Sequence, residues 1–415
     1  MDRGAKSLVE SRLRKITAGG ILLVDGAAQT HFGDAKNLLQ ATVTVHDPRF
    51  YRRLVTGGGL GAAESLMEGE WSADDLVALV RIFVRNMNIS DQLDQGVSAL
   101  AHAFSRLGHW LRRNTAANAR KNIHAHYDLG NDFFRLFLDD TMAYSCGVFP
   151  QVRATMREAS LGKFERACRK LELTPRDHLL EIGTGWGGLA IHAAKQFGCR
   201  VTTTTISEEQ YTLARERVAA EGLQDRVTVL QQDYRALTGT FDKLVSIEMI
   251  EAVGHQYFDE FFRTCSRLLA PHGRMLLQGI TILEQRYDAH ISSIDFIRKY
   301  IFPGGDLPSV SALLAANAKA GDLRPIHLED LAPHYVLTLR RWRDEFWRRI
   351  DAVRAQGYDE RFIRMWDYYF AYCEAAFTER QTGLVQLLLA KPAADVSATG
   401  WNFAPIDLGD WESAR

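Results

Sequence analysis

The segment Leu179-Leu-Glu-Ile-Gly-Thr-Gly-Trp-Gly-Gly-Leu189 constrains this chain more than any other. An apolar run closes on Glu181 and is followed by Gly183, Gly185 and Gly187, after which residues 190–197 have helical character. The pattern predicts a buried strand feeding a tight glycine turn that opens a helix. Glycine accepts the left-handed backbone of such a turn and, lacking a Cβ, lets a ligand reach bare main chain. The first N–H groups of a helix are free to meet that ligand. The spacing Glu-x-Gly-x-Gly-x-Gly differs from the dinucleotide fingerprint G-x-G-x-x-G. A glycine-rich strand-helix turn without a ligand is the competing reading.

From Leu179 onward, strand and helix patterns alternate, as a doubly wound parallel sheet requires. Strands are predicted over 179–182, 200–205, 227–231, 241–247 and 274–282. Helices are predicted over 189–196, 208–221 and 257–268, with Pro271-His-Gly as a turn. Ligands of such sheets lie beyond the carboxyl ends of the strands. Glu181 stands there, beside the glycine turn. The second strand ends without an acid, so Thr205 and Gln210 are the candidates to hydrogen-bond ribose hydroxyls, while Ser207 reads as a helix N-cap. Asp233 follows the third strand and can accept from an adenine amino group or serve as an ordinary turn residue.

Ahead of this core, 21–24, 29–32 and 41–45 read as short strands and 48–55 as a helix broken by Gly57-Gly-Gly. Residues 62–68 and 72–84 read as further helices, the second capped around Ser72, Asp74 and Asp75. Leu100, Phe104, Leu107 and Leu111 recur at helical spacing in a stretch, 95–127, without Asp or Glu. Its Arg106, Arg112, Arg113, Arg120 and Lys121 suit either a packed linker helix with a solvated face or an interfacial helix meeting anionic headgroups. The expected organisation is a small α/β leader over 1–95, a basic linker over 96–122, a catalytic domain over 123–392 and a tail over 393–415. Aromatic-rich helices are expected around 338–349 and 366–370. Their Arg340, Arg341, Arg343, Arg348 and Arg349 are interleaved with Asp344 and Glu345, which favours salt bridges over headgroup contacts.

A chain of 415 residues with 46% hydrophobic residues holds two or three globular domains. A net charge of -1 gives no whole-chain case for nucleic-acid binding. Five cysteines without a Cys-x-x-Cys pair fit a reducing cytoplasm better than a disulfide framework or zinc ribbon. No signal peptide is visible, and no stretch approaches the roughly 20 apolar residues of a membrane span. Membrane contact is therefore expected to be peripheral. His124-x-His126 alone is a poor metal motif and reads as an ordinary hydrogen-bonded pair.

The glycine turn looks like the nucleoside turn of S-adenosylmethionine-dependent methyltransferases. With His126-Tyr-Asp-Leu-Gly-Asn-Asp-Phe-Phe134, Tyr144-Ser-Cys-Gly147, Thr205-Ile-Ser-Glu-Glu-Gln210, Ile250-Glu-Ala-Val-Gly254 and Tyr300-Ile-Phe-Pro-Gly-Gly305, it resembles the cyclopropane-fatty-acid synthase family. The resemblance is strong over about 120–390 and looser over the leader, where residues 61–71 take part. It implies a Rossmann-like class I methyltransferase sheet with helical insertions over an acyl site. It also implies transfer of a methylene carbon from S-adenosylmethionine to a cis double bond of a phospholipid acyl chain, on the cytoplasmic face of a membrane, with a homodimer as a possible assembly. Tyr127, Tyr144 and Ser145 lie in these motifs and, with Tyr234 next to Asp233, join Glu181, Gly183, Gly185, Gly187, Thr205, Gln210 and Asp233 as cofactor candidates.

An alkene is a weak nucleophile, so positioning against the sulfonium methyl must supply much of the rate. The resulting cation can be stabilised by aromatic faces, with Tyr300, Phe302 and Tyr335 as candidates. In the family, the proton is removed by a bound bicarbonate. By motif position Glu251 is its acceptor, and the N–H groups of Cys146 and Ile280 and the Tyr335 hydroxyl are its donors. Cys146 then acts through its backbone; a small buried hydrophobe is the other reading of that thiol. Many bacterial members carry His where this chain has Gln278, and some relatives share the Gln. Gln donates a hydrogen bond but holds no charge. Altered deprotonation yields a methyl- or methylene-bearing chain, which makes fatty-acyl C-methyltransferase the alternative.

Overall fold

The computed structural model describes residues 2–87 and 129–396. These form two compact units. The first contains the described residues up to 87 together with 292–301 and 342–381; the second contains 129–291, 302–341 and 382–396. This corrects the expected boundaries: 292–301 and 342–381 were assigned to the catalytic domain and group instead with the N-terminal unit. The reason lies in side chains distant in sequence. Arg81 and Arg85 both donate to Glu379 (2.7 and 2.9 Å), Arg361 to Glu68 (2.9 Å), and Lys299 and Tyr300 to Glu64 (2.5 and 2.8 Å). The basic linker and most of the tail lie outside the described residues, as do Tyr127, His124 and His126.

The first unit holds a four-stranded sheet in the order β2-β1-β3-β4, with β1 Gly20–Asp25, β2 Ala28–Gly33, β3 Gln40–Val45 and β4 Trp71–Ala73. The three predicted strands are present. The expected break at Gly57-Gly-Gly is a kink at Gly58 (φ 54°) within one helical run, Arg49–Met67. Ser72 belongs to β4, so it caps nothing; the helix begins later, over Leu76–Arg85, with Asp75 accepting from the Ala78 N–H.

The second unit carries a seven-stranded sheet in the order β10-β11-β9-β8-β5-β6-β7. Its strands are β5 His178–Ile182, β6 Arg200–Thr205, β7 Val227–Gln231, β8 Phe241–Ile247, β9 Leu269–Ile282, β10 Arg324–Asp330 and β11 Thr382–Ala390. The five from β7 to β9 are parallel, and β11 runs antiparallel against β9. Parallel strands are buried on both faces, so alternate side chains must feed two cores. Leu180, Ile182, Met275 and Leu277 join Phe261 and Phe262 of helix Phe258–Leu268 on one side. Leu179, Val245 and Leu276 join Phe164, Leu189 and Ala190 on the other. The expected Pro271-His-Gly turn is an irregularity inside β9, where the register against β8 shifts between Phe241 and Lys243. The predicted helix at 189–196 is an α-helical turn, Gly188–His192, continued by a π-helical turn, Ala193–Phe197.

Candidate functional site

Two clusters stand at the carboxyl ends of the central strands. The first surrounds the turn after β5. Gly183, Gly185 and Gly187 have φ values of 104°, 50° and 84°, a region that costs other residues about 1–2 kcal/mol each. A Cβ on Gly183 would stand 3.4 Å from the Met249 side chain, and one on Gly187 3.3 Å from the Ala214 Cβ. At Gly185 no described atom lies within 4 Å of that position. The turn is thus closed on its protein side and bare where a ligand can approach.

Side chains around the turn satisfy one another. Glu181 is buried and accepts from the Thr203 hydroxyl (2.6 Å), and burial pushes its carboxyl pKa up to about 8. Thr205 donates to the Gln210 side-chain carbonyl (2.8 Å), which leaves the Gln210 NH2 group as a donor. Asp233 also serves its turn. Its Oδ1 accepts from the Arg235 N–H (3.0 Å) and Nε (2.9 Å), its Oδ2 from the Arg235 Nη2 (2.6 Å), so this carboxylate is held within its own turn. Tyr234 packs edge-on against Phe261, and burial raises its hydroxyl pKa. Tyr144 lies among Phe134, Phe137 and Phe302, with ring centroids 5.2, 6.1 and 6.4 Å away. Trp186 of the glycine turn packs on the same Phe134 at 5.2 Å and donates to Asn131 (2.6 Å), tying segment 131–144 to the turn. Positive-φ glycines, a bare approach at Gly185 and a ready amide donor fit a nucleoside sulfonium.

The second cluster follows β8 and contains a residue that the motif reading passed over, Glu248. Its φ is 49°, left-handed for a residue with a full side chain. Its Oε1 accepts from the Cys146 N–H (2.9 Å) and the Gln278 Nε2 (2.7 Å); its Oε2 accepts from the Tyr335 hydroxyl (2.6 Å). Burial raises the Glu248 pKa, opposed in part by the charge of the wholly buried Lys163, which donates to Ser145. Glu251 lies three residues on. Its Oε1 accepts from the Ile280 N–H (2.5 Å), while its Oε2 is buried with no hydrogen-bond partner. Burial and the neighbouring Glu248 charge raise the Glu251 pKa to about 8.

The structure therefore brings together Cys146, Gln278, Ile280, Glu251 and Tyr335, but corrects the expected anion site. Two of the three donors assigned to bicarbonate, with Gln278, close on the carboxylate of Glu248. A free bicarbonate does not fit that arrangement, because the chain's own oxygens already take those bonds. The Cys146 thiol is buried, with its pKa raised by burial, in keeping with a role through the backbone. Of the aromatic candidates, Phe302 and Tyr335 belong to this unit. Tyr300 belongs to the other unit, where it bonds Glu64.

Glu248 and Lys163 had a legible signal. Glu248-Met-Ile-Glu251 puts two acids at a strand end, one of them just before the quoted motif. Lys163, Arg166 and Lys170 recur along one face of helix Met156–Lys170, which opens with a capping box between Thr155 and Glu158. All three are buried. Arg166 and Lys170 meet Glu329, and Lys170 also donates to Gln386 (2.7 Å). From Gln386 the bonds continue to Gln278 (2.8 Å) and on to Glu248.

The family model for mycolic acid cyclopropane synthetase matches residues 114–387. The tuberculostearic acid methyltransferase of Mycobacterium tuberculosis is 38% identical over 366 residues, covering 84% of this chain and 82% of that protein. The cyclopropane-fatty-acyl-phospholipid synthase of Escherichia coli is 36% identical over 355 residues, covering 85% and 88%. Among solved structures, a mycolic acid cyclopropane synthase complexed with SAH and CTAB aligns with a TM-score of 0.61 at 32% identity, over 66% of this chain and 98% of that one. Sheet order, glycine turn and this match across two thirds of the sequence agree: the chain belongs to the mycolic acid cyclopropane synthetase family of S-adenosylmethionine-dependent methyltransferases.

Proposed function

We propose that this methyltransferase alkylates the cis double bond of an unsaturated phospholipid acyl chain and closes a cyclopropane ring there. The observation that carries this reading is the half-buried pair Glu248 and Glu251, one residue before and two after Met249, whose side chain lies 3.4 Å from where a Cβ on Gly183 would stand. A methyltransferase acting on oxygen or nitrogen needs only to relieve its nucleophile of a proton. An alkene has none to lose before attack, so the proton must leave afterwards, from carbon, inside a dry site.

S-adenosylmethionine, when bound, supplies the electrophilic methyl group. The glycine turn and Gln210 hold its nucleoside part, and Tyr144 with the Phe134, Phe137 and Phe302 rings keeps water away. Alkylation of the double bond by that group, with sulfur keeping its bonding pair, would leave a cation on the acyl chain. Aromatic faces of Phe302 and Tyr335 are suited to stabilise it. Loss of a proton from the new methyl closes the ring.

A second reading, a methylene-branched chain, draws support from the 38% identity to a tuberculostearic acid methyltransferase and from Gln278 in place of a chargeable His. A hydride shift before proton loss gives that product with the same mass. On either reading the enzyme works as a peripheral protein at the cytoplasmic surface of an anionic membrane, a place consistent with helices none of which, among the described residues, is long and apolar enough to cross one. Incubation with methyl-labelled cofactor and vesicles of cis-unsaturated phospholipid tests the proposal. The expected product is an acyl chain one CH2 heavier that resists hydrogenation. A hydrogenatable product selects the branched alternative, and S-adenosylhomocysteine formation with no lipid tried refutes neither the cofactor nor the family but removes this substrate if label never enters lipid.

A further inference from the structure

We propose that the Glu248 carboxylate is the general base of this enzyme, a built-in replacement for a captured bicarbonate. The inference rests on the alkene-alkylation reading for the origin of the proton, and on four independent features for the identity of the base.

The first is geometric mimicry. A carboxylate has the planar O–C–O edge of bicarbonate, and here it receives the Cys146 N–H, the Tyr335 O–H and the Gln278 N–H at 2.6–2.9 Å. The second is backbone conformation. At φ 49° a glycine sits without strain, whereas glutamate is disfavoured, so the side chain's own bonds must compensate. The third is direction. Lys170 has only donors, so it must be met by the Gln386 carbonyl; the Gln386 NH2 then faces the Gln278 carbonyl, and the Gln278 NH2 faces Glu248. A chain started by an ammonium ends by demanding an acceptor. Gln278 is thereby explained: an amide relays this polarity and leaves the negative charge on Glu248. The fourth is the pairing with Glu251, whose unpartnered oxygen and raised proton affinity make it the neutral member, so that one carboxylate of the two stays ionised.

The step balances simply. The C–H pair of the transferred methyl closes the third ring bond, the cationic carbon accepts that pair, and the proton moves to a Glu248 oxygen, giving a neutral carboxyl group. In the branched alternative the same C–H pair becomes the second bond of the methylene. Neither route needs an oxidant or reductant.

Two arms test the proposal. In the binding arm, 13C-labelled bicarbonate is titrated into wild type and Glu248→Gly, with NMR line broadening as readout. The glycine variant relieves the left-handed backbone and frees the donors, so it should bind the ion where wild type does not. Binding by wild type that Tyr335→Phe abolishes would overturn the proposal. In the turnover arm, wild type should run at an unchanged rate in CO2-free buffer, and Glu248→Gln should fall by about a hundredfold or more, as removal of a general base does, with cofactor affinity within about threefold. Loss of wild-type activity in CO2-free buffer, or retention by Glu248→Gln of activity within about threefold, overturns it. A wild-type enzyme inert toward every cis-alkene lipid removes the substrate reading instead, and the binding arm then still decides whether Glu248 fills the anion position.

Discussion

The ends of β5 and β8 are neighbouring parts of one sheet edge, yet they are built by opposite means. After β5 the site is made of backbone. Three glycines expose main chain, and the side chains nearby satisfy partners close in sequence, as Thr205 does with Gln210. After β8 the site is made of ionisable side chains, Lys163, Glu248 and Glu251, with Gln278, Tyr335 and the N–H groups of Cys146 and Ile280 closing on the two carboxylates. The difference follows from what each must do. A cofactor is recognised by shape and by a few hydrogen bonds, which bare backbone provides. Proton transfer needs ionisable groups with displaced proton affinities, which only burial and neighbouring charge provide.

That contrast can be broken from either side. The largest expected effect is on the backbone side. Gly183→Val forces a β-branched residue into φ 104° and against Met249, and calorimetric titration should show cofactor affinity down by about a hundredfold, the worth of roughly 3 kcal/mol of strain and displaced packing. If affinity holds while product formation collapses, the turn serves the second cluster and the division drawn here is wrong.

Glu251→Gln probes the other cluster through pH. Burial keeps the Glu251 proton in place up to about pH 8 in the folded protein, whereas an unfolded chain releases it near 4.5, the ordinary glutamate value. Folding therefore takes up a proton between those values, and this stabilising contribution, complete at lower pH, is lost as pH rises through 8. Gln cannot ionise, so the Tm of the variant should gain on that of wild type from pH 5 to about 8 and level off above it. A Tm difference that stays flat across that range would show that Glu251 is ionised in the fold.

A smaller effect is expected at Lys170. Lys170→Met removes the ammonium that orients the Gln386 and Gln278 amides without touching Glu248 itself. Lys170 is a positioning residue, so kcat should drop by about three- to tenfold with KM unchanged, less than the hundredfold assigned to the base. An effect confined to KM, or to thermal stability alone, would reduce the chain of amides to scaffolding.

Much of this was legible in the linear sequence. The five parallel strands, the glycine turn, the Ser207 cap and the pair Thr205 and Gln210 are local patterns: two-residue and 3.6-residue periodicities and turn chemistry that neighbours in sequence enforce on one another. Cys146 and Glu251 are legible because they sit in motifs of a recognisable family, and Gln278, Ile280 and Tyr335 follow from the resemblance those motifs carry. For Asp233 the sequence left two readings, a turn acid and a purine-binding acid, and only the fold shows Arg235 bonded to it. The unit boundary was misjudged because Glu379 and Glu64 find their partners about 300 and 235 residues away.

What the sequence by itself determined is the sheet, the glycine bend that follows its central strand, and the chemical class of group that bend can admit, since these depend on interactions between residues near one another in the chain. What only the tertiary structure decided is how many donors each of two carboxylates receives. Glu248 and Glu251 are the same residue type, three positions apart and equally sheltered. One meets three donors from distant segments and the other meets one, and desolvation makes that difference decisive.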